Sequence, residues 1–116
     1  MGRVIWTSPV ASQAIVDGPE AALTPGKAVI RFRAEDGDEQ QISFVDILKF
    51  VFTEMGSCSE QHLDAYDKLL DLGEDSQFAR EAISAARHDA SGYRHFLIFF
   101  DDVGAYDVMA RSAQAS

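Results

Sequence analysis

Four carboxylates, Glu60, Asp64, Asp67 and Asp71, recur at i, i+4, i+7 and i+11. On a helix that spacing lines one face with negative charge. Glu74 and Asp75 extend the line, and only Lys68 relieves it. Like charges so placed cost a helix roughly 0.2–0.5 kcal/mol per pair, and Asp71 falls near the negative end of the helix dipole. Selection for helix stability alone would alternate the signs. The stripe therefore reads as a docking surface for a basic partner, with electrostatics speeding the encounter. The competing reading is a solvated face in a protein kept soluble by its charge.

The remaining candidate chemistry is thinner. Glu35, Asp36, Asp38 and Glu39 surround Gly37, but they lack the twelve-residue spacing and terminal glutamate of a calcium loop. They read as a polar turn that adds to the candidate docking surface. Asp101, Asp102 and Asp107 suggest paired acid/base carboxylates or a hard-metal site, yet neighbours in a strand or turn point apart and no third ligand is apparent. His62, His88 and His95 share no metal-ligand spacing, and Cys58 has no cysteine partner. His62 would be held protonated by the acids around it, and His95 reads as a hydrogen-bonded core or edge histidine. No phosphate loop, nucleophile elbow or triad ordering is present. These residues predict a protein without catalytic groups, metal or cofactor.

The elements that must position these groups follow from periodicity. Residues 3–7 read as a short strand ended by Pro9. Residues 8–26, with all three prolines, read as irregular apart from one helical turn near 12–16. In 27–34, Ala28, Ile30, Phe32 and Ala34 alternate with Lys27, Arg31 and Arg33, the pattern of a half-buried strand. Residues 41–54 are ambiguous between a long strand bulged near Ile47–Leu48 and a helix over 44–54; aromatic and β-branched content favours the strand. Ser57-x-x-Glu60 resembles a capping box, predicting a helix that buries Leu63, Tyr66, Leu69 and Leu70 and ends at Gly73. Asp75 or Ser76 would cap a second helix through Arg87, with Phe78, Ala82, Ile83 and Ala86 inward. Residues 93–100 are apolar enough for a central strand buried on both faces. Residues 101–104 form a hairpin turn, 105–110 pair back, and 111–116 form a frayed tail. Strands, helix, helix and strand hairpin in that order predict an α+β fold: an antiparallel sheet with two helices packed on one face.

Composition sets the remaining bounds. The 116 residues suit one domain, and 47% hydrophobic content with eight Phe allows a core without disulfides. A single cysteine, no leader-like N-terminus and no apolar run near 20 residues predict a cytosolic protein. The net charge of −9 is concentrated: residues 35–75 alone carry twelve acidic and two basic groups. Such a chain repels phosphate backbones and anionic membranes, so neither nucleic acid nor a membrane is an expected partner.

The runs 43–47, 52–59, 65–69 and 94–108 together resemble small bacterial stand-alone proteins, several of which are immunity partners of secreted polymorphic toxins. The resemblance spans roughly residues 40–110 and carries over no catalytic residue. It implies a cytosolic protein that occludes a toxin by binding it, and an acidic surface suits a toxin with a basic cleft. Two other readings stand beside this one. The first is a small-molecule-binding domain or small enzyme with a pocket between sheet and helices, lined by Tyr66, His95 and Tyr106. The second is a homodimer formed through the aromatic strand 93–100.

Overall fold

The computed structural model describes residues 2–35, 37–86, 89 and 91–116. Seven strands dominate it: β1 (Arg3–Thr7), β2 (Ile15–Thr24), β3 (Lys27–Ala34), β4 (Gln40–Glu54), β5 (Lys68–Gly73), β6 (Arg94–Phe100) and β7 (Gly104–Ala115). Two short helices interrupt them, α1 (Glu60–Leu63) and α2 (Gln77–Ala85). The strands make one sheet in the order β1-β5-β6-β7-β4-β3-β2, and every neighbouring pair is antiparallel. The fold is α+β with the helices in a minor part.

The sheet curls. β1 and β3 stand far apart in strand order, yet the Trp6 and Phe32 rings meet at 6.2 Å, and Phe32 meets Phe100 of β6 at 5.0 Å. Alternation along β6 explains how one strand serves two cores. Phe96, Ile98 and Phe100 enter the large cluster on the concave side with Ile30, Phe44 and Val108. Leu97 and Phe99 pack on the convex side with Ala65, Leu70 and Ala105. The expected central strand is therefore present and buried on both faces.

The ambiguous segment is a strand. β4 pairs along its length with β7, and its register slips between Ile47 and Lys49. Asp46, at φ 59°, reverses the alternation so that Ile47 faces the core, and the extra residue then restores Phe50 to the face of Ile42 and Phe44.

Three expectations are corrected. The helix expected from Ser57 to Gly73 is a single turn followed by strand β5. Its cap is Ser59, whose N–H is accepted by His62 Nδ1 at 3.1 Å, and it ends before Asp67, which takes φ 55°. Leu69 then enters the concave core while Leu70 joins the convex one. Two ladders, to β1 and β6, satisfy the backbone of 68–73 where a lone acidic helix would have left its charges opposed.

Residues 15–24 are a strand rather than irregular coil. β2 is the sheet's edge, where proline is tolerated; a cis Gly18–Pro19 bond and a register slip between Asp17 and Glu20 accommodate Pro19. The tail is paired too. Residues 112–115 bond to 42–45 of β4, and Gln41 and Ser116 exchange backbone hydrogen bonds at 2.9 Å. α2 starts where expected, with Ser76 accepting from Ala79 N at 3.1 Å. It buries Ala79 and Ala82 against Tyr93 and Met109. Its expected end at Arg87, together with Asp36 and His88, lies outside the described residues.

Candidate functional site

The acidic residues do not form a helical stripe. Asp71 is only 5% exposed, in β5 opposite Arg3. Its carboxylate accepts from Arg94 Nε at 2.8 and 2.9 Å, from Arg3 Nη2 at 3.2 Å and from Gly73 N at 2.9 Å. It is spoken for inside the molecule and presents no charge for docking. The Asp71 hydrogen bond, with a smaller contribution from the charge of Glu74, raises Arg94 above the ordinary guanidinium range. Glu74 and Asp75 are exposed and share a shallow cleft with Arg3 and Arg94.

A different acidic group is assembled around Tyr66. The Tyr66 hydroxyl donates to Asp101 Oδ2 at 3.1 Å, and Gln13 Nε2 donates to both, at 2.8 Å to Tyr66 and 3.1 Å to Asp101. Burial first, then the Asp101 hydrogen bond and the charges of Asp101, Asp67 and Asp102, hold the Tyr66 phenol above its ordinary range. Asp67 accepts from Ser12 N at 3.1 Å and from the Ser12 hydroxyl, tying the turn before β2 to the turn before β5. Exposed Glu60 and Asp64 precede this group in the chain, and Glu54 ends β4 beside Met55, whose sulfur accepts from Asp102 N at 3.0 Å. Gln13 also lines a shallow cleft with Glu35 and Gly37. The curl thus brings the start of the 35–39 turn to the Tyr66 group. Asp38 and Glu39 are exposed in the same turn, Glu39 lying 3.9 Å from Arg31.

Asp101 and Asp102 were legible only as turn residues, and nothing in the sequence placed Gln13 or Ser12 near Tyr66. Segments 35 to 88 residues apart meet there because strand order differs from chain order.

A second titratable cluster lies under the helices. His95, 1% exposed, places Nδ1 2.7 Å from Ser76 Oγ and donates from Nε2 to Asp107 Oδ1 at 2.6 Å. Asp107 Oδ2 lies 2.9 Å from His62 Nε2. Because His62 Nδ1 accepts the Ser59 N–H, its hydrogen sits on Nε2 and points at Asp107. Ser76 accepts from Ala79 N while bonded to His95, and the Phe78 ring lies 4.6 Å from the imidazole. Serine, histidine and aspartate are in line, but the serine is occupied as a helix cap and the imidazole is covered. The cluster ties α1 and the start of α2 to β6 and β7.

The pocket expected between Tyr66, His95 and Tyr106 is not assembled. Tyr106 faces the concave core with Phe50, Phe52 and Phe100, whereas Tyr66 packs with the convex cluster and His95 bonds beneath α2. Cys58 hydrogen-bonds weakly to the Thr53 and Glu54 carbonyls at 3.5 and 3.4 Å. Burial, with a smaller push from the charge of Asp107, raises its thiol, the opposite of what a nucleophile needs. Among the described residues no group of three His, Cys, Asp or Glu side chains is placed to hold a metal ion, and no helix is long and apolar enough to cross a membrane.

No family model matches this chain, and no curated protein or solved structure matches it either.

Proposed function

We propose that this chain is a non-enzymatic protein-binding protein of the cytosol, an immunity-type inhibitor that receives a basic partner on its acidic surface. The observation that carries the reading is the convergence of Asp67, Asp101 and Asp102 on Tyr66, with Glu35 reached through Gln13. A tyrosine amid carboxylates offers a flat, amphipathic contact of the kind that dominates interface energies. The surrounding charge would steer a basic protein toward it and repel nucleic acid. Exposed Glu60 and Asp64 extend the surface, while Asp71, neutralised by two arginines, drops out of it.

The test is affinity capture from the native organism's lysate with tagged protein, at low and then moderate salt. One basic protein captured in stoichiometric amount is expected. Reversing Asp64, Asp101 and Asp102 to Lys should slow its association by about tenfold or more, since such charges act chiefly on the on-rate. The circular dichroism spectrum should stay unchanged. Equal binding by the reversed protein, or capture of an acidic partner alone, would overturn the proposal.

A further inference from the structure

The sheet has two free edges, β1 and β2; the aromatic strand β6 lies inside it, between β5 and β7, and offers no edge to a partner. A free edge leaves every second backbone N–H and C=O of its strand unpaired, and proteins usually blunt it. β2 is blunted. Pro19 has no N–H to offer, Asp17 and Glu20 put charges along the strand, and its register with β3 slips twice. β1 has fewer such devices. Its register with β5 slips once, and its one charged residue, Arg3, is held at the strand's end by Asp71. Val4 is nevertheless 50% exposed and Ile5 37%, so large apolar side chains stand uncovered beside the open backbone.

A cleft opens beside this strand on each face of the sheet. On the convex face Val4, Leu70 and Leu72 line one of about 310 Å³, together with Asp64 just after α1. On the concave face Ile5, Trp6, Leu69 and Ala115 line one of about 260 Å³. These sizes suit single side chains rather than a whole small ligand. The clefts differ in charge: the convex one holds Asp64, with Glu60 exposed on the neighbouring helix, whereas the residues lining the concave one carry none.

Side chains of a strand alternate between faces, so a strand added to β1 sets every second side chain over each cleft. Given a basic protein partner, the reading on which this rests, we propose that the outer edge of β1 receives an extended segment of that partner in which lysine or arginine alternates with large apolar residues. The basic side chains lay their aliphatic stems across Val4 and Leu70 and direct their charges to Asp64. The apolar ones cover Ile5 and Trp6. Backbone hydrogen bonds to β1 supply affinity, and the alternation supplies specificity. A second copy of this chain is the poorer occupant. Its β1 brings only Arg3, already bound to Asp71, and its net charge of −9 is repelled by an equal charge here.

Nuclear magnetic resonance of the whole chain tests the edge with two synthetic peptides of one composition and charge. Lys-Ile-Lys-Ile-Lys-Ile-Lys alternates, and Lys-Lys-Lys-Lys-Ile-Ile-Ile does not. Excess alternating peptide should raise the hydrogen-exchange protection of amides 3–7 about tenfold or more, and the block isomer should leave it unchanged. Asp64→Asn should weaken the alternating peptide about twofold to fivefold, the scale of an exposed ion pair. No gain at 3–7, an equal gain with both peptides, or undiminished binding by Asp64→Asn would overturn the proposal. Protection of 3–7 that rises with protein concentration and needs no peptide would overturn it in favour of a second copy. Shifts confined to Tyr66, Asp101 and Asp102 would overturn the edge and leave the acidic docking surface standing. Protected 3–7 amides in a chain that captures no basic protein from lysate would support the edge and sink the partner reading instead.

Discussion

Asp71 and Asp101 show how differently two carboxylates of one acidic protein are employed. The Asp71 side chain is 3% exposed and holds two arginines that are themselves well exposed, Arg94 at 45% and Arg3 at 75%. Asp71→Ala should cost about 1–3 kcal/mol, because the Gly73 N–H and two guanidinium groups lose their acceptor together. Arg3→Ala should cost less than about 1 kcal/mol, as an exposed ion pair does. Urea denaturation of both variants checks the ranking; equal losses would mean that the exposed Arg3 pair, not Arg94 and Gly73, carries the contribution of Asp71. The exposed acids carry no such cost.

The tyrosines and the cysteine set the alkaline limit. Burial raises Tyr106, and burial with neighbouring carboxylates raises Tyr66; Cys58 is raised likewise. In each case the unfolded chain gives up its proton first, near 9.0 for the thiol and 10.0 for the phenols. Stability is thus fully present below those values and is lost as pH rises through the higher folded ones. The urea midpoint should fall between about pH 8 and about pH 11, and Tyr106→Phe should reduce the fall by removing one of the three groups.

At the scale of elements, what was legible was what local pattern controls. The alternation of 27–34, the apolar run of 94–100 and the bulge near Ile47–Leu48 each follow from neighbouring residues and appear as expected. What was not legible depended on a partner strand. Lys68–Gly73 has helical spacing in its leucines, and only β1 and β6 on its two sides make it a strand. Ile15–Thr24 contains a proline that argues against a strand unless the strand is an edge. The 111–115 segment is polar enough to fray until β4 is seen to run long enough to pair with it. The candidate site depended on the same long-range pairings, so its acids were readable by type but not by neighbour.

The β6–β7 hairpin is the element on which the Tyr66 surface most depends, since Asp101 and Asp102 are its turn. Gly104 closes that turn at φ 144°, and a Cβ there would run into the Thr53 carbonyl of β4. Gly104→Ala should therefore destabilise by more than about 2 kcal/mol, combining backbone strain with a steric collision. Thermal unfolding measures it. A loss below about 0.5 kcal/mol, the scale of an ordinary surface substitution, would show that the hairpin shifts freely against β4, and the Tyr66–Asp101 geometry would not be rigid.

At the scale of the molecule, the curl unites chain ends and middle. β1 pairs with β5, and β4 with β7, across separations of about sixty residues, so few native contacts exist before the whole topology is in place. Trp6, the single tryptophan, stands where β1 meets Phe32 of β3 across the concave core. Its fluorescence therefore reports closure of the curl, while far-ultraviolet circular dichroism reports the strands themselves. If closure and strand pairing are one cooperative event, the two urea transitions should coincide. Trp6→Ala should then lower the common midpoint by the equivalent of about 2–3 kcal/mol, toward the low end for an aromatic side chain because Trp6 is only partly buried. A Trp6 transition that precedes the loss of strand signal would instead show β1 peeling from β5 as a unit of its own. Because Asp67 precedes β5 and is tied to Ser12 just beyond β1, such peeling would loosen the acidic surface while most of the sheet remained folded.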